Sequence, residues 1–569
     1  MQHKGSTDHR RRLRKALRTS AGIIVALGTL YLGADIWVTH KVKRLVAEES
    51  EKLSHGMLRT TVEGVGINPF NLSVTLRGIA VRSDSAALAA RMPSIGALNL
   101  DIARLRIRGI RRSKAPGDHT IAVAALRITS PRLSLVRNIA AAPPAADPAG
   151  ARPDTAQVPL SPPRVEIGLF TLQDGAVSLC EHRDTATLCH KVGGLTLRTE
   201  NFVFDAASAL TAGGLAAAEL TATVNHIAYS FDRGAMTLEI DTLAVSTRDS
   251  LVELGGVRLL PQYPKATFAA NAPRHADWTQ VIAGSVRLTG IDFGAIASHR
   301  YLIDSVRIAD IEVASYKNRQ IAQPERVKQL FFQSVQRLPR PVAVRRIRLD
   351  NIRATYEELP AAGSAAGTVT FDSLNGDFYG LTNIPSPGQP FYTLEASGRL
   401  MGQGTLSATF ELPVEASTNH FEVSGTLGPM EMQALNPTLV PLAGARVTSG
   451  RINGMDFRIA GSERQSSVTL QLRYDDLGVT VVRNTGDSLH ARPVLTFLVD
   501  DLLLHHSNPD NHGLRTGTGT AERDPQRSQF NYLWKSLLPG IKSTLIGRDR
   551  NRDAGTDRDK RKAKRRRLF

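Results

Sequence analysis

The 569-residue chain carries 42% hydrophobic and 22% charged side chains, which excludes wholesale disorder, and it is too long for one compact core. It has only one long apolar run, which excludes a polytopic membrane protein. Its net charge of +18 sits mainly at the ends, where residues 1–20 hold seven Lys and Arg against one Asp and residues 548–569 hold eleven against four; the nearly neutral remainder predicts no nucleic-acid track.

In chain order, residues 1–20 form a basic segment that positive-inside reasoning leaves in the cytoplasm. Residues 21–39, AGIIVALGTLYLGADIWVT, are long enough at about 1.5 Å per residue to cross a bilayer as one helix, with Asp35 and Trp37 near its far end. The alternative is a signal peptide cleaved near Leu32-Gly33-Ala34. Either reading exports everything after about residue 40.

Residues 40–136 read as an N-terminal β section, the Pro/Ala-rich residues 137–163 as a linker, and residues 164–515 as the main β body. Apolar residues recur at relative positions 0, 2, 5 and 7, as in Val74/Leu76/Ile79/Val81, Ile121/Val123/Leu126/Ile128, Leu238/Ile240/Leu243/Val245, Val286/Leu288/Ile291/Phe293 and Val306/Ile308/Ile311/Val313. Looser copies are Val165/Ile167/Phe170/Leu172, Ile347/Leu349/Ile352/Ala354 and Phe497/Val499/Leu502/Leu504. Two steps keep a strand residue on its face and three flip it, so the pattern requires an extra residue to be absorbed by a bulge or bend. Repeated bulges predict a mainly β fold in which an elongated antiparallel sheet curves into a trough; a stack of ordinary sandwiches is the alternative.

Within this body, Cys180 and Cys189 flank a predicted hairpin and are candidates for a disulfide; a metal set with His182 and His190 and free thiols are the other readings. A helix is expected near 324–338, with Val327, Leu330, Phe331, Val335 and Leu338 on one face. An amphipathic helix over 525–546 gathers Phe530, Leu533, Trp534, Leu537, Leu538, Ile541 and Leu545, with a kink or break expected at Pro539-Gly540. Followed by the basic tail 547–569, this helix suits an anionic membrane surface, with Trp534, Leu537, Leu538, Arg565, Arg566 and Arg567 as contacts; capping the sheet is the alternative.

No catalytic set stands out. Gly486-Asp487-Ser488-Leu489 matches a hydrolase signature but lacks a downstream Asp-x-x-His, so a turn is expected. His505, His506, Asp510 and His512 lack zinc-ligand spacing and read as a solvated loop. No metal, cofactor or enzymatic activity is expected.

The stretch from Val65 through Asn68-Pro69-Phe70 to Ile79, close behind a single membrane span, resembles the opening of AsmA-like envelope proteins of Gram-negative bacteria. LLPQYPKATFA (259–269), IRLDNIRATYEELP (347–360), residues 425–461, LRYDDLGVTVV (472–482) and FNYLWKSLLPGIK are similar to further parts of that family. The resemblance implies an inner-membrane, single-pass anchor with the bulk in the periplasm. It also implies a β groove that holds phospholipid acyl chains and assists their transport or outer-membrane homeostasis. Val74, Leu76, Leu238, Ile240, Val286, Leu288, Ile291, Val306, Ile308 and Ile311 would line that groove. The expected partners are the inner membrane and, through the basic tail, anionic head groups or envelope proteins. The runner-up is a structural or adaptor protein of the envelope with a filled β core.

Overall fold

The computed structural model describes residues 39–52, 54–68, 70–92, 94–112, 121–138, 165–183, 186–204, 219–271, 277–321, 327–386, 388–415, 417–482 and 504–546. The basic segment 1–20, the apolar run up to residue 38, residues 139–163, Ser488, the repeat copy through Phe497 to Leu502 and the tail 547–569 with Arg565, Arg566 and Arg567 lie outside these residues. Among the described residues no helix is long and apolar enough to cross a membrane.

The chain is mainly β with antiparallel pairing dominant, and it divides into two compact units between Ile227 and Ala228. This division differs from the expected one at 137–163. The strands on either side of that stretch are direct neighbours, so the stretch joins two strands of one unit.

Unit 1 opens with helix α1 (39–52), which lies along the edge strand β1 (Leu58–Asn68) where the N-terminal β section was expected to start. The Thr39 hydroxyl donates to the Val65 carbonyl at 3.3 Å, and Ser50 and Thr60 share a hydrogen bond at 2.5 Å, so α1 covers an edge otherwise open to pairing. Then follow β2 (Ser73–Ser83), α2 (Ser85–Arg91), β3 (Ile95–Arg112), β4 (Ile121–Asn138), β5 (Val165–Arg183), β6 (Ala186–Phe204) and β7 (Glu219–Val224), each strand pairing with the next. The carboxylate of Asp84 caps α2 by accepting from the Ala86 and Ala87 amides.

A further strand, β8 (His226–Phe231), spans the boundary. Unit 2 continues with β9 (Met236–Ser246), β10 (Leu251–Pro261), α3 (Lys265–Asn271), β11 (Trp278–Ile291), α4 (Phe293–Ala297), β12 (Tyr301–Asn318), α5 (Phe331–Gln336), β13 (Val342–Leu359), β14 (Gly367–Thr382), β15 (Phe391–Leu400), β16 (Gly404–Pro413), β17 (Phe421–Leu427), β18 (Met430–Glu431), α6 (Asn436–Ala443), β19 (Ala445–Gly461), β20 (Gln465–Val481), β21 (Gly517–Glu522) and α7 (Gln529–Leu545).

The expected all-antiparallel sheet is corrected at two places, β4 with β5 and β12 with β13, which are parallel. A parallel pair needs a long crossover, and each of these follows one of the longest connections in its unit.

The extra residue demanded by the repeat takes an aligned form. The ladder skips one residue at the same level on neighbouring strands, so the register continues unshifted on both sides of a transverse seam. In unit 1 one seam runs through Glu63, Gly78, Ala103 and Ser130, and a second through Gly109, Ala124, Gly168 and Asn201. In unit 2 one runs through Asp241, Gly256, Gly284, Asp310 and Asn351, and another through Gly290, Asp304, Arg345 and Gly380. Many seam residues have positive φ, including Gly78, Ser130, Gly256, Asp310 and Asn351, which accounts for the Gly, Asn, Asp and Ser found there.

Both parallel junctions are built alike. Ser130, Asp174, Asp310 and Asn351 are each the tenth residue of their strand and each left-handed. Across the junctions the Ser130 hydroxyl donates to Asp174 at 2.9 Å, and the Asn351 amide donates to Asp310 at 2.8 Å.

The helix expected near 324–338 is confined, among the described residues, to Phe331–Gln336. The chain just before it is extended because its backbone is used elsewhere: the Lys328 amide donates to the Pro525 carbonyl at 2.8 Å, and the Leu330 amide to the Gln333 side chain at 3.0 Å. By contrast α7 runs unbroken through Pro539. Its buried line is Tyr532, Ser536, Gly540 and Thr544, seated on β20 and β21 where Gly517 and Gly519 leave no side chain in the way. Close packing of backbone on backbone holds the helix together across the missing amide.

Candidate functional site

Within each unit the seams keep apolar residues on one sheet face, because every strand gains its extra residue at the same level. In unit 1, Val65, Leu76, Leu105, Ile128, Leu172 and Leu197 form one cross-strand row, and Ile67, Val74, Ile107, Leu126 and Phe170 form the next. In unit 2, Leu243, Leu254, Val286, Ile308 and Leu349 form a row. Beside it run Val252, Leu288, Val306, Ile347 and Phe378 on one side and Ile240, Val257, Ala283, Ile311 and Ile352 on the other. Leu238 lies one row further on, opposite Leu259, and Ile291 pairs with Ile303. The structure thus gathers all ten candidate groove residues onto the apolar face of their own unit.

Exposure divides this face into two regimes. Over β17 and long stretches of β19 and β20, buried residues alternate with more exposed ones, as expected where one face is sealed. Twenty-four buried residues form one core there, including Tyr392, Phe421, Ile459, Leu470 and Tyr474, with α5, α6 and α7 packed against the sheet. Over β10 to β13 burial is patchier: Ala283, Ile311 and Ile352 form a small buried cluster with half-buried Val286, Ile308, Val313 and Leu349 around it, Ile291 is buried, and Val344 belongs to the filled core, with Val306 and Ile347 packed against it. The apolar positions of β10 are half-buried throughout. Around Val286, Ile308, Val313 and Leu349 the packing partners are other sheet residues, which leaves the outer surfaces of these side chains in contact with whatever lies above them.

The proposed membrane-contact residues of the C-terminal helix are corrected in part. Leu537, with Leu533, Ile541 and Leu545, packs on the filled core, and Leu538 is half-buried. Trp534 remains 46% exposed. The periodicity named the apolar stripe, but the line closest to the sheet consists of small residues that hydropathy does not mark.

Cys180 and Cys189 are directly paired on β5 and β6, with Cα atoms 4.1 Å apart, and form a disulfide. Among the described residues no group of His, Cys, Asp and Glu could hold a metal ion. The segment around His505 is not the solvated loop expected from its composition. Asn508 is fully buried, with its side chain donating to the carbonyls of Leu472 (2.5 Å) and Arg515 (3.1 Å), and Asp510 serves as the counter-ion of Arg515. This buried asparagine had no sequence signal beyond its place in a turn-rich run.

One buried charge lies in the cluster under the start of α7. Lys317 is 5% exposed, 3.9 Å from Asp277, and desolvation lowers its pKa below the usual 10.5. Asp277 is also paired with Lys328 at 3.4 Å, so removing the lysine leaves it a partner. The ammonium is penalised in the folded state at neutral pH, and that penalty fades as pH rises through the lowered value. Lys317→Met is therefore expected to match or exceed the parent's stability at neutral pH by up to about 2 kcal/mol, with the gap closing as pH approaches 10.5 in urea titrations.

No protein-family model matches this chain, and no curated protein matches it.

Proposed function

We propose that the protein is a non-catalytic, inner-membrane-anchored protein of the periplasm whose apolar sheet faces hold phospholipid acyl chains and assist their transport. The observation that carries this reading is the half-buried apolar field over β10 to β13, with the register-matched rows of unit 1 as its counterpart. Seams of this kind would bend each sheet about its apolar face and give a concave, groove-like surface. Each methylene taken out of water there gains about 0.8 kcal/mol, so acyl chains would be retained while head groups stay hydrated. Direction and energy would come from partners.

The filled core over β15 to β20 favours a second, structural reading for that part of unit 2, which would end the lipid-facing surface. A photo-crosslinking residue at Ile308 in the full-length protein in membranes is expected to label phospholipid. The same residue at Arg307, exposed on the opposite face, should not. Equal labelling at both positions would sink the proposal.

A further inference from the structure

The charge of the body is less even than its near-neutral total suggests. Residues 58–138 hold thirteen Lys and Arg against four Asp and Glu. With the apolar residues turned to one side, the basic residues of β2 to β4 share the other: Arg77 stands directly opposite Arg104, and Arg106 opposite Arg127, with Arg108 the next same-face position along β3. Like charges in such pairs destabilise a sheet. All five are exposed and have no carboxylate partner among the described residues. In unit 2, arginines of the corresponding face are matched, as Arg287 with Glu253 at 2.5 Å, Arg307 with Asp350 at 2.6 Å and Arg346 with Asp377 at 2.8 Å.

A second observation lies at the end of the same face. The β1–β2 turn leaves Phe70 97% exposed and Leu72 59% exposed, and the Leu72 carbonyl accepts from the Gly109 amide, beside Arg108. Thr39, where the apolar run 21–39 ends, is hydrogen-bonded to Val65, only five residues before Phe70. Thr39 therefore lies toward the end of the sheet that carries the bare Phe and the start of the arginine field. Thr75, Asn99 and Thr129 share the arginine face, and β2 to β4 carry no aromatic residue to stack a base, the one ring nearby being Phe70 at the tip, so the combination favours a lipid surface over a nucleic acid.

We infer that the β1–β2 tip and the arginines of β2 to β4 dock on an anionic bilayer surface, with Phe70 and Leu72 entering the interface and the guanidinium groups meeting head-group phosphates. The inference rests on the reading of 21–39 as an anchor. It is tested on the full-length chain in nanodiscs of phosphatidylcholine alone or with about a quarter phosphatidylglycerol, following phenylglyoxal modification of individual arginines by mass spectrometry. Arg106 and Arg108 should react about fivefold more slowly in the anionic discs, an effect that about 0.5 M NaCl abolishes, whereas Arg287 should react alike in both. Phe70→Ser should reduce the protection. Equal rates in the two discs, or the same protection from inorganic phosphate or duplex DNA, would overturn the inference. If the chain stays with neither disc, the anchor reading fails, and added anionic vesicles decide the surface by the same readout.

Discussion

Ile308→Asp is expected to strip co-purifying phospholipid from the protein while lowering its unfolding free energy in urea titrations by no more than about 1 kcal/mol. Ile308 is half-buried in the row from Leu243 to Leu349, where a carboxylate can reach water, so its main effect is to place a charge where acyl chains would lie. Leu288→Asp, one row away, should act alike. The comparison is Ile459→Asp: Ile459 is 1% exposed inside the filled core, and an unpaired carboxylate there should cost at least about 4 kcal/mol and unfold the section. Lipid mass spectrometry after mild extraction, run beside urea titrations, separates the outcomes. If Ile308→Asp unfolds as Ile459→Asp does, or keeps its lipid, the face over β10 to β13 does not hold lipid.

The second large effect concerns α7. A Cβ on Gly517 would overlap the Gly540 carbonyl oxygen and the Thr544 hydroxyl, and one on Gly519 would overlap Pro539. The obstruction at Gly517 is helix backbone, so a rotamer change cannot relieve it, and Gly517 has φ outside the left-handed region. Gly517→Val should therefore lift α7 from β20 and β21, costing about 3 kcal/mol or more. Leu533, Leu537 and Ile541 would withdraw from the filled core with it. Hydrogen exchange over 529–545 should accelerate sharply in the variant, while exchange in β1 to β6 stays unchanged. Parent-like protection of α7 would show that the helix is not held by this backbone contact.

Such contacts mark the limit of what could be read from the chain. The 0, 2, 5, 7 spacing at Val74, Val286 and Val306 already required an absorbed residue between positions 2 and 5, because a strand has a period of two. It could not reveal that neighbouring strands absorb theirs at one level, since register is a property of pairs of strands. The parallel junctions escaped for the same reason: Ser130 and Asp174 are far apart in sequence, and their shared tenth position acquires meaning only once β4 lies beside β5. The kink expected at Pro539 assumed an isolated helix, whereas Gly517 and Gly519 let the sheet support it.

Local chemistry along the chain thus determined the β character, the apolar face and the turn-tolerant seam residues, because alternation and left-handed backbone depend on side chains close in sequence. Tertiary structure alone decided which part of the apolar face is sealed. It also decided where the arginines meet and which side of the last helix is buried, because burial and charge repulsion depend on neighbours brought together from distant parts of the chain.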